Sequence, residues 1–301
     1  MRYIRLRFKN DVGELIFDNE HLRIIALEGL GTPQKTYNAI EYVGYDGIFT
    51  TDSKRTSRTI TIKFDVGGSR AETLRRVMRV LDSPGTLYLQ CGDIRREIGV
   101  SQINVDEPED NRVISTVTAQ LICDSPFFND WEENEVACYK VTGKIVYTAN
   151  TCNLSTPTIW GELTSDRIID IDSDCETEPI FEIRVAGTTS NGGGFEILRV
   201  NDIYSTSDTD RKNVIQSLIF DYDTQDGEVI TINLDGRNKI GYRYAVSDKN
   251  GSILNFRSDD TSLSKFRLVP GNNRIVVKNN NNGSRLNVLM KYNNNYAEAV
   301  Y

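Results

Sequence analysis

The sequence predicts a mainly β-strand protein with two domains: an N-terminal α+β domain of antiparallel sheets with one helix, followed by a C-terminal β-sandwich. Three observations predict this. The chain has 301 residues, whereas a typical single domain has roughly 150. Short runs of alternating apolar and polar residues recur between clusters of Gly, Asn, Asp and Pro, a pattern typical of antiparallel sheets. Clear helical spacing occurs in one segment only, and that segment lies in the first half.

The first domain begins with amphipathic strands. Arg5, Arg7 and Lys9 alternate with apolar residues, which predicts a first strand and argues against the uninterrupted apolar stretch of a secretory signal. The run 58–65 has the sequence RTITIKFD, and its alternation places three apolar side chains on one face. The run 113–123 alternates in a similar way. We therefore expect an antiparallel sheet with one buried face.

A single helix is predicted after the run 58–65. Ser69 is followed three residues later by Glu72, the spacing of a capping box, in which each side chain satisfies the backbone N–H of the other residue. Apolar residues then recur at helical spacing, at Leu74, Val77, Met78 and Leu81. The helix ends before Pro84-Gly85, because proline cannot continue a helix and glycine favours turns. Such an amphipathic helix packs its apolar side on a sheet.

The predicted domain boundary lies in the stretch 126–139, which is acidic and aromatic and interrupts the regular alternation. We divide the chain into residues 1–130 and 131–301. In the second domain, Asp226-Gly227 separates two strand-like runs, a strong hairpin signal because glycine tolerates the positive φ of tight turns. The segment 279–283 is expected to form a second hairpin in the same way. Several short strands with turns between them predict a β-sandwich.

The composition argues against several functional classes. The formal net charge is −8, which repels nucleic acid and argues against a dedicated DNA-binding surface. No apolar run approaches the roughly 18 residues that span a bilayer, so no membrane span is expected. The five cysteines form no close pairs, which supports neither zinc ribbons nor a disulfide scaffold. This pattern predicts buried, unpaired thiols in a reducing compartment.

The sequence leads us to assign no catalytic, cofactor-binding or metal-binding residues. His21 is the only histidine, so triads and most zinc sites lack a usual member, and a surface histidine is the favoured interpretation. Carboxylates cluster within 170–178, which could bind a cation or form a solvated acidic face. An EF-hand would need glycine and glutamate where this chain has Cys175 and Phe181. The glycines 192–194 are not followed by the lysine of a phosphate loop. We expect no cofactor and no enzyme activity.

Two groups of side chains could bind partners. Several arginines cluster on the predicted helix and just beyond it: Arg75, Arg76, Arg79, Arg95 and Arg96. They would form either ion pairs between subunits or a solvated helix face. The second half also contains tyrosines in strand-like surroundings: Tyr242, Tyr244, Tyr292 and Tyr296. These could stack on sugar rings or pack against the sheets.

A series of short motifs runs through the chain in a fixed order. In the first half these are LEGLGTP at 27–33, Asp46-Gly47, RTITI at 58–62, the helix, Pro84-Gly85, RREI at 95–98 and CDSPFF at 123–128. In the second half they are Thr156-Pro157, GEVITI at 227–232 and FRLVPGNN at 266–273. Their order over nearly the full length resembles the distal tail protein family of long-tailed bacteriophages, the siphovirus-type tail components.

The resemblance implies a structural role in a virion. It implies a homohexameric ring at the tail tip, stacked between the tail tube protein and the tail-associated hub, with DNA passing through the lumen. The N-terminal domains would form the ring, and galectin-like C-terminal domains would hold receptor-binding or baseplate parts. Such a protein is made in the cytoplasm of a bacterial host and belongs to a phage or a tail-like bacteriocin. The alternatives are a carbohydrate-binding module for attachment to the host surface and a carboxylate-dependent hydrolase.

Overall fold

The computed structural model describes residues 4–18, 21–41, 48–67, 70–106, 108–110, 114–147, 158–164, 166–187, 193–201, 214–236, 242–281 and 284–299. They form two compact units: unit 1 comprises Met1–Trp131 and Asn295–Tyr301, and unit 2 comprises Glu132–Asn294. The described residues are mainly β with one α-helix, which confirms the predicted fold class. None of their helices is long and apolar enough to cross a membrane.

The C-terminal end of the chain is assigned differently by the sequence and by the structure. The sequence predicts that everything after residue 130 belongs to the second domain. The structure corrects this, because the chain returns to unit 1 from Asn295 onward. The reason is physical: a short strand there pairs with Phe128 and Asn129, so its backbone hydrogen bonds are made within unit 1.

The elements follow one another in chain order. Those in the first part of unit 1 are β1 (Arg5–Lys9), β2 (Glu14–Phe17), β3 (Leu22–Glu28), β4 (Lys35–Glu41), β5 (Ile48–Arg55), β6 (Thr59–Val66), α1 (Arg70–Leu81), β7 (Gly85–Cys91), β8 (Ile94–Val105), β9 (Glu109–Asp110), β10 (Ser115–Cys123) and β11 (Phe128–Asp130). Those in unit 2 are β12 (Asn134–Tyr147), β13 (Thr158–Thr164), β14 (Asp166–Ile171), β15 (Ile180–Ala186), β16 (Phe195–Val200), β17 (Val214–Phe220), β18 (Val229–Asn233), β19 (Tyr244–Ser247), β20 (Gly251–Ser252), β21 (Gly271–Asn279) and β22 (Arg285–Tyr292). The last strand, β23 (Asn295–Tyr296), belongs to unit 1.

Unit 1 is built on one large antiparallel sheet. Its strand order is β2-β1-β7-β8-β10-β6-β3, with β9 paired to β10 and β11 paired to both β8 and β23. Alternation in β6 buries Ile60, Ile62 and Phe64, as the sequence predicted. The same rule places Phe8 and Leu87 inside, where they belong to one core. Because side chains alternate in direction along each strand, the strands together form one continuous apolar face.

The helix α1 covers part of that face and packs against β2 and β6. Val77 and Leu81 are buried as predicted, and Val80 joins them. Met78 is 36% exposed, so its placement on the apolar side was wrong. Residues 77, 80 and 81 already fill the contact between the helix and the sheet. Each residue of an α-helix is rotated by about 100° from the one before it, so Met78 points away from this contact.

Unit 2 consists of two antiparallel sheets around a shared core. The larger sheet has the order β13-β12-β22-β15-β18-β19-β20, and the smaller one has the order β14-β21-β16-β17. Phe181 and Ile232 from the larger sheet and Phe195 and Ile275 from the smaller one belong to the same core. The predicted β-sandwich is therefore present, and its galectin-like character stays a prediction.

The two predicted hairpins of unit 2 do not form. Asp226-Gly227 is a tight turn, and Gly227 has a φ of 70°, but it leads from β17 in the smaller sheet to β18 in the larger one. The segment 279–283 likewise lies between β21 and β22, which belong to different sheets. In the first case the Gly227 N–H bonds to the Val185 carbonyl (3.0 Å), which directs the chain onto β15. The tight turn at Asp226-Gly227 was predicted correctly, but the pairing of the strands on either side of it was not.

The cysteines behave as predicted where the structure describes them. Cys91, Cys123 and Cys138 are buried and free, and Cys175 is half-buried. Burial raises the pKa of Cys123 and of Cys138 to about 12. These two thiols are therefore protonated and unreactive at neutral pH. Cys152 lies outside the described residues.

Candidate functional site

The segment between β3 and β6 forms a two-stranded ribbon that the sequence analysis did not predict. We call β4 and β5 together the ribbon; they pair antiparallel with each other. No third strand pairs with either of them in the part of the chain that the structure describes. The side chains at 35–39 and 52–54 are exposed. Because these described side chains are exposed at successive positions, they do not show the alternation between a buried and a solvent face that reveals other strands.

Arg58 holds the root of the ribbon, which we define as residues 29–34 and 56–58. It follows β5 and is only 4% exposed. Its guanidinium donates hydrogen bonds to the carbonyl oxygens of Gly29 (2.6 Å) and Gly31 (2.5 Å), which precede β4. It donates two more to the Pro126 oxygen, at 3.1 and 3.0 Å, and one to the Ala297 oxygen. One side chain therefore joins the ribbon root to two distant segments of unit 1.

The hydrogen bonds of Arg58 have a structural role. The hydrogen-bond acceptors of the guanidinium are neutral backbone carbonyls, and the Phe128 ring lies 4.4 Å from it. Burial lowers the pKa of Arg58 to about 10, so the side chain is still charged at neutral pH. A planar guanidinium can serve several acceptors in different directions at once, which an ammonium group cannot do with the same geometry.

The CDSPFF motif at 123–128 surrounds the same arginine. The Cys123 N–H donates to the Arg58 carbonyl at 2.8 Å, and the Ser125 hydroxyl accepts a hydrogen bond from the Phe127 N–H at 3.1 Å. The Arg55 guanidinium, at the end of β5, lies 5.0 Å from the centre of the Phe127 ring. This motif therefore fixes the root of the ribbon in unit 1.

The C-terminal segment contacts the root as well. The Ala299 N–H donates to the Leu30 carbonyl at 3.1 Å, and the Thr32 hydroxyl donates to a Glu298 carboxylate oxygen at 2.6 Å. The Thr56 N–H donates to the Gln34 carbonyl at 3.1 Å and closes the base of the ribbon. A cleft of about 330 Å³ opens beside these residues. The LEGLGTP motif, Arg58 and CDSPFF, which lie far apart in sequence, thus meet at one place.

Arg95 and Arg96 contact acidic and aromatic side chains of unit 1. The Arg96 guanidinium pairs with Asp130 at 2.8 Å and stacks 3.3 Å from the centre of the Tyr296 ring. The Arg95 guanidinium lies 5.6 Å from the Trp131 ring, and the Trp131 indole N–H donates to the Arg96 carbonyl at 2.6 Å. These arginines therefore bind the acidic, aromatic stretch that was read as a domain boundary.

The helix itself presents a basic side. Arg75 and Arg79 are exposed, and among the described residues no carboxylate lies within ion-pair distance of either. Arg76 donates to the Glu14 carbonyl at 3.2 Å. Both interpretations of this side, a solvated face and ion pairs between subunits, remain predictions.

Each of the weak candidates for chemistry has its own contacts within its unit. His21 is exposed and lies 3.8 Å from Asp18, beside a cleft of about 590 Å³ between β2, β3 and α1. In the carboxylate cluster, Glu178 binds Arg243 at 2.6 Å and also contacts Arg267. No group of three or more metal-ligating side chains occurs within the described ranges. The cluster therefore forms ion pairs that tie loops of unit 2 together.

The four tyrosines are also dispersed. Tyr242 is 61% exposed and meets Tyr244 edge to face at 6.5 Å between ring centres. Tyr292 is buried in the sandwich core, and Tyr296 packs in unit 1. Only the first two could contribute together to a sugar-binding surface.

Comparison with known proteins gives a match in structure and none in sequence. No protein-family model matches the chain, and no curated protein matches it. Among solved structures, it is similar to the Dit protein (gp 19.1) of phage SPP1, described as a paradigm of the hub adsorption apparatus in phages that infect Gram-positive bacteria. The TM-score is 0.61 at 12% identity, and the match covers 98% of this chain and 99% of that one. The chain has the fold of a phage Dit protein.

The Dit fold extends over both units, and this confirms at the level of fold the resemblance predicted from the motif order. A chain of the phage P2 baseplate in its activated conformation with Ca is also similar, with 12% identity, a TM-score of 0.49 and coverage of 97% of this chain and 98% of that one.

Proposed function

We propose that this chain is a structural distal tail protein of a phage or a phage-tail-like particle. Six copies form a ring that joins the tail tube to the tail tip or baseplate, and DNA passes through its lumen. Unit 1 forms the ring, and unit 2, as a galectin-like sandwich, carries receptor-binding or baseplate parts. The protein acts by binding and not by catalysis, and it needs no cofactor. It is made in the cytoplasm of the bacterial host and resides in the virion.

The observation that carries the proposal is the Dit fold over 98% of the chain, because it includes both units and not a single common sandwich. Among the described residues of unit 1, no further strand pairs with the outer edges of β2 and β3. Open edges are templates for pairing with other chains, and a ring of identical subunits can use them repeatedly. The net charge of −8 suits a lumen that lets DNA pass without binding it tightly.

The test is the oligomeric state of the purified full-length chain. We expect sedimentation velocity to show six copies of the 34.0 kDa chain, and negative-stain images to show a closed ring. A particle that remains monomeric at high concentration would contradict the proposal. Mixing with tail tube protein from the same genome should add a second component to the ring.

A second candidate function is glycan binding by unit 2, favoured by the exposed Tyr242 and its neighbour Tyr244. Aromatic rings that are accessible on one side can stack on sugars. A glycan array with the full chain tests this function, with Tyr242→Ala as the matched variant. Binding that this variant abolishes would support the candidate, whereas an array without signal would leave unit 2 as a purely structural carrier.

A further inference from the structure

The segment that returns to unit 1 completes the core of that unit. We call residues 295–299 the strap. Its first two residues form β23, which pairs antiparallel with β11. Ala299 is only 1% exposed and belongs to the same buried cluster as Phe128. The whole of unit 2 lies between the strap and the rest of unit 1 in sequence, so unit 1 is built from two pieces of chain that are made at different times.

The first residues of the strap contact β8 and β11. The Arg96 guanidinium lies 3.3 Å from the centre of the Tyr296 ring, and the Tyr296 hydroxyl donates a hydrogen bond to the Asp130 carboxylate at 3.4 Å. Arg96 and Asp130 also pair with each other at 2.8 Å. The Asn129 side-chain amide donates to the Asn295 side-chain oxygen at 2.9 Å. The strap thus holds the strand through which the chain leaves unit 1.

The remaining residues of the strap close the root of the ribbon. The Ala297 carbonyl accepts one hydrogen bond from Arg58, and the Ala299 N–H donates to the Leu30 carbonyl at 3.1 Å. Arg58 is 4% exposed, and a buried donor that loses an acceptor is destabilising. Without the Ala299 side chain the core would also have a gap. The root therefore has its full set of contacts only when the strap is in place.

Synthesis fixes the order in which these pieces become available. Chains grow from the N-terminal end, so residues 1–131 leave the ribosome first, unit 2 follows, and the strap comes after both. Until then β11 can pair with β8 but has no β23 to pair with. An unpaired strand edge and an incomplete core are features of partly folded domains.

We infer that docking of the strap is the step that makes unit 1 competent to assemble, so that ring formation waits until unit 2 has been made. The part that concerns assembly rests on the proposed function. Subunits of a ring must present the same complementary surfaces. The root of the ribbon and the CDSPFF motif are fixed through Arg58, whose contacts the strap completes. A chain that has not yet produced unit 2 lacks the strap and therefore stays out of the ring.

A pair of alanine variants of the full chain provides the test. Ala299→Asp places a charge in the core of unit 1, whereas Ala186→Asp makes the same change at an exposed position of β15 in unit 2. Hydrogen exchange is followed at the Cys123 and Thr56 amides, which bond at the root, and at the Val185 amide in unit 2. We expect Ala299→Asp to speed exchange at the root at least about tenfold and to leave Val185 unchanged, because an unpaired buried charge is strongly destabilising and opens structure locally.

Assembly is measured on the same variants by sedimentation velocity over a concentration series. The concentration needed for half-assembly should rise at least about tenfold in Ala299→Asp, again because its buried charge keeps the strap from docking. Ala186→Asp should assemble like the wild type. A variant whose root opens but which assembles at the wild-type concentration overturns the inference.

Tyr296→Ala is a milder second variant, since Tyr296 is half-buried, and it decides the question if Ala299→Asp unfolds the whole of unit 1. We expect it to speed exchange at the root at least about threefold while unit 2 stays protected. Root amides that stay protected in both variants overturn the inference. A wild type that forms no ring overturns the proposed function, and exchange at the root then still decides whether the strap closes unit 1.

Discussion

Replacing Arg58 with methionine should strongly destabilise unit 1. Methionine fills similar volume but donates no hydrogen bond, so the five bonds of the guanidinium to four carbonyls disappear. A buried polar group that loses its partner costs about 1–3 kcal/mol. The cleft beside the root admits water to some of these carbonyls, and the guanidinium no longer has to be desolvated. We therefore expect a loss of about 4–5 kcal/mol, at the lower end of the range of about 4–12 kcal/mol for four carbonyls.

The loss is measurable by urea unfolding followed by circular dichroism. With a slope of roughly 2 kcal/mol per molar urea, it lowers the midpoint of unit 1 by about 2 M. Arg58→Lys keeps the charge but has one nitrogen in place of a fork, so we expect an intermediate loss of ~2 kcal/mol. Arg75→Met is the control, since Arg75 is exposed and surface changes usually stay within about 0.5 kcal/mol. If Arg58→Met unfolded at the same midpoint as this control, the structural role assigned to Arg58 would be wrong.

Three further predictions concern other buried groups. Burial would raise the pKa of Glu178, but hydrogen bonds and charges from a backbone N–H and two arginines outweigh it and lower the pKa below its usual value. The ionised Glu178 therefore stabilises unit 2 at neutral pH, and this stabilisation is lost as the pH falls through the folded-state pKa. Glu178→Gln should lower the free energy of unfolding by about 1–3 kcal/mol at pH 7 and should not change it in acid. Urea midpoints measured as a function of pH would show both. Gly194 has a φ of 70°, and a Cβ there would lie 1.9 Å from the Phe220 oxygen. Gly194→Ala should therefore lower the free energy of unfolding of unit 2 by about 2 kcal/mol or more and its melting temperature by several degrees. An unchanged calorimetric trace would contradict this. Iodoacetamide at neutral pH should leave Cys123 unmodified in the native protein and label it after unfolding in urea, because burial raises the pKa of Cys123 to about 12. Peptide mass spectrometry reads the outcome, and early labelling of native Cys123 would count against its burial.

Local patterns in the sequence predicted individual elements well. Alternation predicted the buried face of β6, and the apolar repeat at helical spacing predicted α1. These predictions succeed because side-chain period depends on residues within a few positions of each other. Ser69, the first residue of the predicted capping box, lies outside the described residues. The odd, unspaced cysteines likewise predicted free thiols.

The functional site was harder to predict. Arg58 appeared only as the first residue of a strand, and nothing near it in sequence indicates that its partners are the carbonyls of residues 29, 31, 126 and 297. The described side chains of the ribbon, at 35–39 and 52–54, are exposed at successive positions, so they do not alternate between a buried and a solvent face. Such a stretch resembles a loop in sequence whether or not it forms strands.

The sequence by itself thus determined the strand-rich character, the single helix and the turn at Asp226-Gly227, since each follows from short-range periodicity or turn chemistry. Only the tertiary structure decided that this turn crosses between two sheets, that the C-terminal segment returns to unit 1, and that Arg58 joins three segments at the root of the ribbon. The physical reason is that strand pairing and buried hydrogen bonds link residues far apart in the chain. Backbone carbonyls are the same at every position, so no pattern of side chains reveals which of them a buried arginine will bind.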